Sequence, residues 1–203
     1  MWSADKEPER NWLERHFGVI IGGALTFVLE IVQVAGLALA IILPVRYFLI
    51  QPFIVKGVSM EPSFFENEYL IIDELSYRFR EPERGEIVVF HPPSNQAKQF
   101  YIKRVIGLPG ETVEVKDGKI TIYNSTLPTG FILTEPYLED LTPGSDRRLL
   151  GEGEYYLLGD NRDSSLDSRF FGGVPRANLT GRVWIRGLPI NRVTAFSIPD
   201  YIE

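Results

Sequence analysis

A serine that could act in catalysis lies in the segment KGVSMEPSF, residues 56–64, soon after a long apolar run. A serine hydroxyl attacks a substrate only when a neighbouring group accepts its proton. The chain contains no cysteine and only two histidines, so few side chains are available for that step. Ser59 is therefore a candidate nucleophile, and the question is which side chain serves as its base.

Neither histidine is well placed to be that base. A Ser/His/Asp triad needs a histidine beside the serine. His16 precedes the apolar run, so it lies across the bilayer from Ser59 if that run crosses a membrane. His91 follows a strand-like segment, VVFHPP, where a surface or turn position is the ordinary interpretation.

A lysine is the remaining candidate base. A neutral lysine can take the proton when burial lowers its pKa. Lys103 lies in FYIKRVIGLPG among apolar neighbours that include Ile102 and Val105. A lysine in a strand is more commonly an outward, solvated residue, and spacing alone does not pair Lys103 with Ser59.

Metal and nucleic-acid chemistry are not indicated by the sequence. There is no cysteine and no H-E-x-x-H pattern, which removes the common zinc sites. The acidic run DNRDSSLD, residues 160–167, lacks the glycine and glutamate that a calcium loop needs. With a net charge of −6, nothing in the composition argues for a nucleic-acid partner. We expect no metal, no cofactor and no nucleic-acid partner.

The elements that position these residues begin with an apolar run from Val19 to Leu43, whose only clearly polar residues are Thr26, Glu30 and Gln33. About 20 apolar residues cross a bilayer core of roughly 30 Å. A buried core helix is the alternative. A cleaved signal peptide fits less well, because its apolar part is typically about 7–15 residues and follows a basic segment. We expect a membrane helix with Glu30 near one interface.

Beyond Gln51-Pro52 the sequence changes to short runs that are typical of strands. In TVEVKDGKITIYN, residues 112–124, apolar residues alternate on both sides of Asp117-Gly118, which predicts a hairpin with a type I′ turn. The stretch 124–152 predicts a loop excursion. Other strands are predicted in YLIIDEL, GEIVVFHPP, QFYIKRVIG, EYYLLGD and GRVWIRGL. The chain is therefore expected to hold one membrane helix followed by a mostly-β domain.

Four segments, in this order, resemble the type I signal peptidases, which are membrane-anchored Ser/Lys endopeptidases that remove signal peptides from exported proteins. The segments are QPFIVKGVSMEPSF, DELSYRFREPERGEIVVF, YIKRVIGLPGE and YYLLGDNRDSSLDSRFFGGVP. The resemblance extends from about Phe48 to Arg186. It implies an antiparallel β catalytic domain and cleavage after a small-x-small pattern such as Ala-x-Ala.

The resemblance also implies a role for each matching residue. Ser59 matches the nucleophile, and Lys103 matches the general base. Ser165 matches the serine that hydrogen-bonds and orients the lysine. Asp167 and Arg169 match an ion pair that supports this side of the site. Further residues of the same motifs are Arg104, Asp160, Asn161 and Arg162.

Residues around the nucleophile complete the implied site. Met60 and Pro62 shape the chain beside Ser59. Many members carry a serine where this chain has Gly57, so the oxyanion hole would depend mainly on backbone N–H groups, including that of Ser59. The family also has an apolar surface near the site that rests on the membrane. Candidates for it, with core packing as the alternative, are Phe53, Phe64 and Phe65.

The resemblance predicts three parts of the chain: a cytoplasmic segment (1–17), a membrane-helix region (18–50) and an extracytoplasmic peptidase domain (51–203). Within that domain, 110–154 would form a compact connection between motifs. Signal peptides are cut on the trans face, so we expect a single-pass plasma-membrane protein with a cytoplasmic N-terminus. Its partners would be the signal peptides of exported preproteins and membrane lipid.

Two other functions deserve comparison. A self-cleaving repressor shares the Ser/Lys dyad and a related β fold, but it needs an N-terminal DNA-binding domain where this chain has an apolar helix. An inactive anchored binding module would be favoured by loss of Ser59 or Lys103, and both residues are present. The peptidase is therefore the preferred hypothesis.

Overall fold

The computed structural model describes residues 12–48, 50–93, 99–138, 140–199 and 201. Contacts divide the chain into two units, of which the first ends at Tyr47 and the second begins at Phe48. Most of the predicted segment 1–17 lies outside the described residues. The domain boundaries proposed from the sequence stay predictions.

The first unit is helical. Helix α1 (Trp12–Phe17) is followed by Gly18, with a φ of 81°, and by helix α2 (Val19–Phe48). The stretch Val19–Leu43 of α2 has a mean hydropathy of 2.3 and is long enough to cross a membrane. None of its most apolar part is buried by the rest of the chain, as expected of a helix whose surroundings are lipid. Glu30 lies near the middle of this stretch.

The second unit is built from two antiparallel sheets. The strands are β1 (Ile50–Ile54), β2 (Tyr69–Asp73), β3 (Ile87–Phe90), β4 (Tyr101–Gly107), β5 (Thr112–Lys116), β6 (Lys119–Tyr123), β7 (Phe131–Ile132), β8 (Asp146–Leu149), β9 (Glu154–Leu158), β10 (Val174–Pro175), β11 (Leu179–Leu188) and β12 (Thr194–Ala195). The larger sheet has the order β1-β2-β11-β3-β4-β9-β10, with β12 paired to β11. The smaller sheet has the order β7-β6-β5-β8. The mostly antiparallel β fold predicted from the sequence is confirmed.

Strand β3 lies inside the larger sheet and is buried on both faces. Its side chains alternate between two apolar clusters: Ile87 and Val89 pack in one, and Val88 and Phe90 in the other. This explains why the strand is apolar at every position. Val88 pairs with Lys103 on β4, so the packing of β3 sets the register of the candidate base.

The predicted hairpin is present, and the predicted loop is only partly correct. Asp117 and Gly118 have φ angles of 51° and 79°, and two successive positive values are those of a type I′ turn. The stretch 124–152, expected to be a loop, contains β7 and β8, which extend the hairpin into a sheet. Strand β8 reads DRRL and lacks an apolar face, which is why the sequence did not reveal it.

Candidate active site

The turn that holds Ser59 is anchored by its own buried side chains. Backbone bonds from Glu61 N to Val58 O (3.1 Å) and from Phe64 N to Met60 O (2.8 Å) close the turn. Met60 and Phe64 are 1% and 0% exposed and pack in the cluster that includes Val89. The turn thereby places Ser59 at the edge of the apolar core.

One of the three phenylalanines proposed for a membrane-facing surface belongs to the core instead. Phe64 is fully buried, with its ring 4.6 Å from that of Phe196, because the turn directs it inward. Phe65, the next residue, is 41% exposed. Phe53 is half-buried and meets Phe100 edge to face. Of the three, only Phe65 is largely exposed.

Lys103 reaches Ser59 although the two residues are 44 positions apart. The ammonium Nζ of Lys103 donates to Ser59 Oγ at 2.6 Å and to the carbonyl of Ile102 at 2.8 Å. Lys103 is only 3% exposed. The structure therefore brings together the two residues that spacing alone could not pair.

The surroundings of Lys103 lower its pKa and so increase the fraction of the neutral form. Burial lowers the pKa of Lys103 from 10.5 to about 8, although the charges of Asp167 and Asp160 act in the opposite direction. With such a pKa, roughly a tenth of the lysine is neutral at pH 7. A neutral amine beside a serine hydroxyl can accept its proton.

Ser165 is buried beside the dyad but does not contact the lysine in the way that the resemblance implied. Its hydroxyl makes no hydrogen bond within the described part of the chain, and Lys103 Nζ donates elsewhere. The hydroxyl faces Gly159: a Cβ added there would lie 2.2 Å from Ser165 Oγ. Ser165 is thus near the site with an unused hydrogen-bonding group.

Asp167 and Arg169 form the ion pair that the motif suggested. The two carboxylate oxygens of Asp167 accept bonds from Nε and Nη2 of Arg169, both at 2.9 Å. Asp167 also caps the short helix α3 (Ser168–Phe171), where it accepts from the backbone N–H of Arg169. The backbone N–H of Gly159, the residue directly after β9, also donates to Asp167 at 3.2 Å.

Gly159 is a site residue that the sequence analysis missed. The Asn161 N–H donates to the backbone oxygen of Ser59 at 3.1 Å, so the two segments lie against each other. A Cβ at Gly159 would lie 2.5 Å from that same oxygen, closer than real contacts allow. Only glycine permits this approach, and its position directly after the strand EYYLL was the available signal.

Arg104 and Asp160 join the strand of the base to the turn of the nucleophile. Arg104 donates to both carboxylate oxygens of Asp160, at 2.9 and 2.6 Å. The Ser63 hydroxyl donates to the same carboxylate at 2.6 Å. The guanidinium of Arg104 lies 3.8 Å from the centre of the Tyr137 ring. This buried network determines how β4 and the turn of Ser59 sit together.

A cavity of about 420 Å³ opens above the dyad. It follows the chain from Phe53 to Ser59 on one side and the start of β4 on the other. Gly57 lines the cavity and has a φ of 79°. Apart from its two chain neighbours, no described residue has an atom within 4 Å of the position that a Cβ at Gly57 would occupy. The apolar lining residues of the cavity include Ile54, Val55, Leu70, Val89, Ile102 and Leu166. The cavity therefore has a largely apolar lining and is open beside Ser59 and Lys103.

Comparisons with known proteins identify the family of the chain. The family model "Signal peptidase, peptidase S26" matches residues 28–187. A signal peptidase I of Leptolyngbya laminosa is 37% identical over 84% of this chain and 85% of its own. A probable signal peptidase I-2 of Synechocystis sp. is 39% identical over 93% of this chain and 79% of its own. A solved signal peptidase I from Enterococcus faecalis V583 is 35% identical and covers 51% of this chain and 97% of its own, with a TM-score of 0.44. The matched residues and the shared length lead to one conclusion: this chain belongs to the peptidase S26 family of signal peptidases, which are serine endopeptidases.

Proposed function

We propose that this protein is a membrane-anchored endopeptidase that cleaves signal peptides from exported preproteins, with Ser59 as nucleophile and Lys103 as general base. The single observation behind this assignment is the 2.6 Å contact between Lys103 Nζ and Ser59 Oγ on a buried lysine. The names of the relatives, which are signal peptidases I, support the substrate class.

The proposed reaction begins with neutral Lys103. As Ser59 Oγ attacks the scissile carbonyl, its proton moves to Lys103 Nζ. The tetrahedral intermediate then breaks its C–N bond, and the protonated lysine returns that proton to the leaving amine. Water attacks the resulting ester in the second half of the cycle, with Lys103 again as base, and Ser59 is regenerated.

The developing oxyanion would be stabilised by backbone N–H groups, including that of Ser59. Such donors act strongly where water is excluded. The open space at Gly57 leaves room for the substrate carbonyl to approach. Burial of Met60, directly after the nucleophile, would hold the Ser59 amide in position.

Three residues are proposed as positioning residues rather than reacting groups. Asp167 and Arg169 hold the segment that packs against the Ser59 backbone. We assign the buried Ser165 hydroxyl, which has no hydrogen-bond partner within the described residues, to orienting the lysine amine. This assignment matches the role that the family resemblance implies for Ser165.

Cleavage after a small-x-small pattern would follow from the shape of the cavity. An extended peptide can add to the strand-like edges on either side and obtain backbone hydrogen bonds. Packed apolar side chains line the cavity near Ser59, and they would reject large residues through overpacking, which typically costs about 1–3 kcal/mol. Small residues at the two recognised positions would fit.

The apolar helix α2 is the proposed anchor. In the single-pass topology that the substrate requires, residues 1–17 lie in the cytoplasm and 51–203 lie outside the plasma membrane. The span Val19–Leu43 has the length and composition for this role. Membrane lipid is then a permanent partner of the protein.

The test is cleavage of an exported preprotein by the detergent-solubilised full chain. Ser59→Ala should remove cleavage, whereas Ser125→Ala, at an exposed serine remote from the dyad, should cleave at the wild-type rate. A second substrate with Ala→Leu at the last signal residue should be cut about tenfold or more slowly. Cleavage by Ser59→Ala at the wild-type rate would exclude the proposed nucleophile, and equal cutting of both substrates would exclude the specificity.

A further inference from the structure

The polar residues of the apolar helix lie on one face. Thr26, Glu30 and Gln33 follow one another at intervals of four and three residues, the spacing that places side chains on the same side of a helix. Gly23 and Ala40 continue the pattern above and below, with Leu37 between Gln33 and Ala40. We call these six residues the polar face of α2. The rest of Val19–Leu43 is apolar or glycine.

Glu30 lies deep in the span. At a rise of 1.5 Å per residue it is about 16 Å from Val19 and about 20 Å from Leu43 along the helix axis. The position near an interface that the sequence suggested would leave the segment VIIGGALTFVL, residues 19–29, outside the hydrocarbon. With Val19–Leu43 as the membrane span, the Glu30 carboxyl lies near mid-bilayer.

Glu30 and Gln33 have no hydrogen-bonding partner among the described residues. Thr26 differs from them, because its hydroxyl donates to the carbonyl of Gly22 at 2.9 Å. The most apolar part of the helix is not covered by the rest of the chain. Polar side chains inside a bilayer pair with one another or with a second helix. Among the described residues α2 is the one candidate membrane span, so a second helix beside this face would come from another molecule.

We propose that the polar face of α2 binds the same face of a second copy of the chain within the membrane. This inference rests on the membrane anchoring in the proposed function. Copies inserted in one orientation are parallel, so a two-fold axis along the membrane normal brings each residue of the face opposite itself. Alternating intervals of three and four are those of a two-helix seam with a crossing angle of about 20°.

The face is complementary to itself. Helical side chains tilt toward the N-terminus, so the Gln33 amide of one copy leans toward the level of Glu30 on its partner. The amide N–H donates to the Glu30 carboxyl, and the two-fold axis makes the same bond a second time. Gly23 and Ala40 allow the backbones to come close at both ends. The apolar helix of a signal peptide would leave the carboxyl without a donor, which favours a second copy as the occupant.

Disulfide cross-linking in membranes tests this contact, because the natural chain contains no cysteine. Leu37→Cys lies on the polar face, and Leu39→Cys, at nearly the same depth, points away from it. Ala40→Cys and Ala35→Cys are a second matched pair. Under mild oxidation at low expression, we expect Leu37→Cys and Ala40→Cys to give at least about fivefold more dimer than Leu39→Cys and Ala35→Cys.

A second set of variants asks whether the polar side chains drive the contact. In the Leu37→Cys background, Glu30→Leu with Gln33→Leu should reduce the dimer at least about fivefold, whereas Glu30→Gln, which can still hydrogen-bond, should retain it. Equal dimer yields from Leu37→Cys and Leu39→Cys, or no loss in the double leucine variant, would overturn the proposal. A cross-linked product that contains a different protein instead of a second copy would overturn it as well.

Two further readouts on the same membranes separate this proposal from the proposed function. Loss of preprotein cleavage with the dimer retained would count against the peptidase assignment alone. Release of the protein by alkaline carbonate would overturn the anchor and the dimer together. Membrane retention and cleavage without face-specific cross-linking would overturn the dimer alone.

Discussion

Lys103 and Arg104 are neighbours on β4 that point to opposite faces of the sheet, and they show how differently one fold can treat two buried cations. Their exposed fractions are nearly equal, 3% and 4%. Arg104 makes two hydrogen bonds to the Asp160 carboxylate. Lys103 has no carboxylate in direct contact within the described chain and donates to a serine hydroxyl and a backbone carbonyl instead.

The pKa values of the two residues move in opposite directions for that reason. For Arg104, burial alone would lower the pKa, but the hydrogen bonds and charge of Asp160 outweigh it, and the net pKa is raised. For Lys103, burial is the main effect, and more distant carboxylates only partly oppose it. Depth of burial is thus not sufficient to create a base. The contact partner decides whether a buried cation is structural or reactive.

The largest expected effect comes from making position 103 resemble position 104. Lys103→Arg keeps a positive charge at the dyad but cannot deprotonate, because arginine stays charged at all accessible pH values. We expect cleavage to fall on the order of 10⁴-fold, or about 5.5 kcal/mol of barrier. The rate of preprotein cleavage under single-turnover conditions, compared between wild type and Lys103→Arg, measures this loss.

Folding must be checked in the same sample. Circular dichroism and the urea midpoint should show that the Lys103→Arg protein retains its sheets. If this variant is folded and cleaves at a tenth of the wild-type rate or better, Lys103 is not the base, and His91 becomes the next candidate.

The second prediction removes the partner of Arg104. Asp160→Asn keeps the shape of the side chain but leaves the guanidinium buried without a counterion, and breaking such a pair costs about 3–5 kcal/mol. Urea unfolding of the solubilised chain should show this loss. Asp163→Asn, at an exposed aspartate of the same motif, is the control and should change stability by less than about 0.5 kcal/mol. Similar free energies of unfolding for Asp160→Asn and Asp163→Asn would mean that the buried ion pair contributes little to stability.

Much of the fold could be predicted because its strands follow simple alternation. The hairpin of β5 and β6 is an example, with apolar residues at every second position and Asp117-Gly118 at the turn. Strand β1 was harder to recognise because it contains Pro52. As an edge strand it tolerates a proline, but its edge position depends on the whole sheet.

The candidate site was predictable in its residue types and not in its contacts. Ser59 and Lys103 were candidates from their residue types, motif resemblance paired them, and their 2.6 Å contact requires the register of β3 against β4. Burial of Phe64 depends on the direction of the turn that contains it, which no local pattern reveals. The need for glycine at Gly159 arises only when the Ser59 backbone packs against it.

The third prediction concerns the energetic cost of keeping Lys103 without a counterion. A lysine whose pKa falls on folding from 10.5 to about 8 destabilises the folded state by up to about 3 kcal/mol below pH 8. Lys103→Met, which fills similar space without a charge, should therefore raise stability at pH 7 by up to that amount. Wild-type stability should rise with pH between about 8 and 10.5, because the unfolded state binds the extra proton there.

Urea unfolding at several pH values measures this prediction. The advantage of Lys103→Met should shrink as the pH increases through that window. Lys119→Met, at an exposed lysine, should show neither the gain nor its pH dependence. If Lys103→Met lowers stability at pH 7, the buried lysine makes favourable contacts that exceed its desolvation cost.

The smallest expected effect tests the distant carboxylates that act on Lys103. The rate of wild-type cleavage should rise about tenfold per pH unit below the pKa of the base and level off above it, with a midpoint near 8. The charge of Asp167 raises the pKa of Lys103, so Asp167→Asn should move the midpoint to lower pH, by less than about one unit. The unpaired Arg169 would act in the same direction, because a positive charge disfavours a second one.

Asp167→Asn also removes an ion pair that positions the site and should slow cleavage at every pH, but a purely structural defect leaves the midpoint unchanged. Asp163→Asn supplies the reference midpoint. A midpoint for Asp167→Asn equal to the reference or above it would show that the carboxylate does not influence the base.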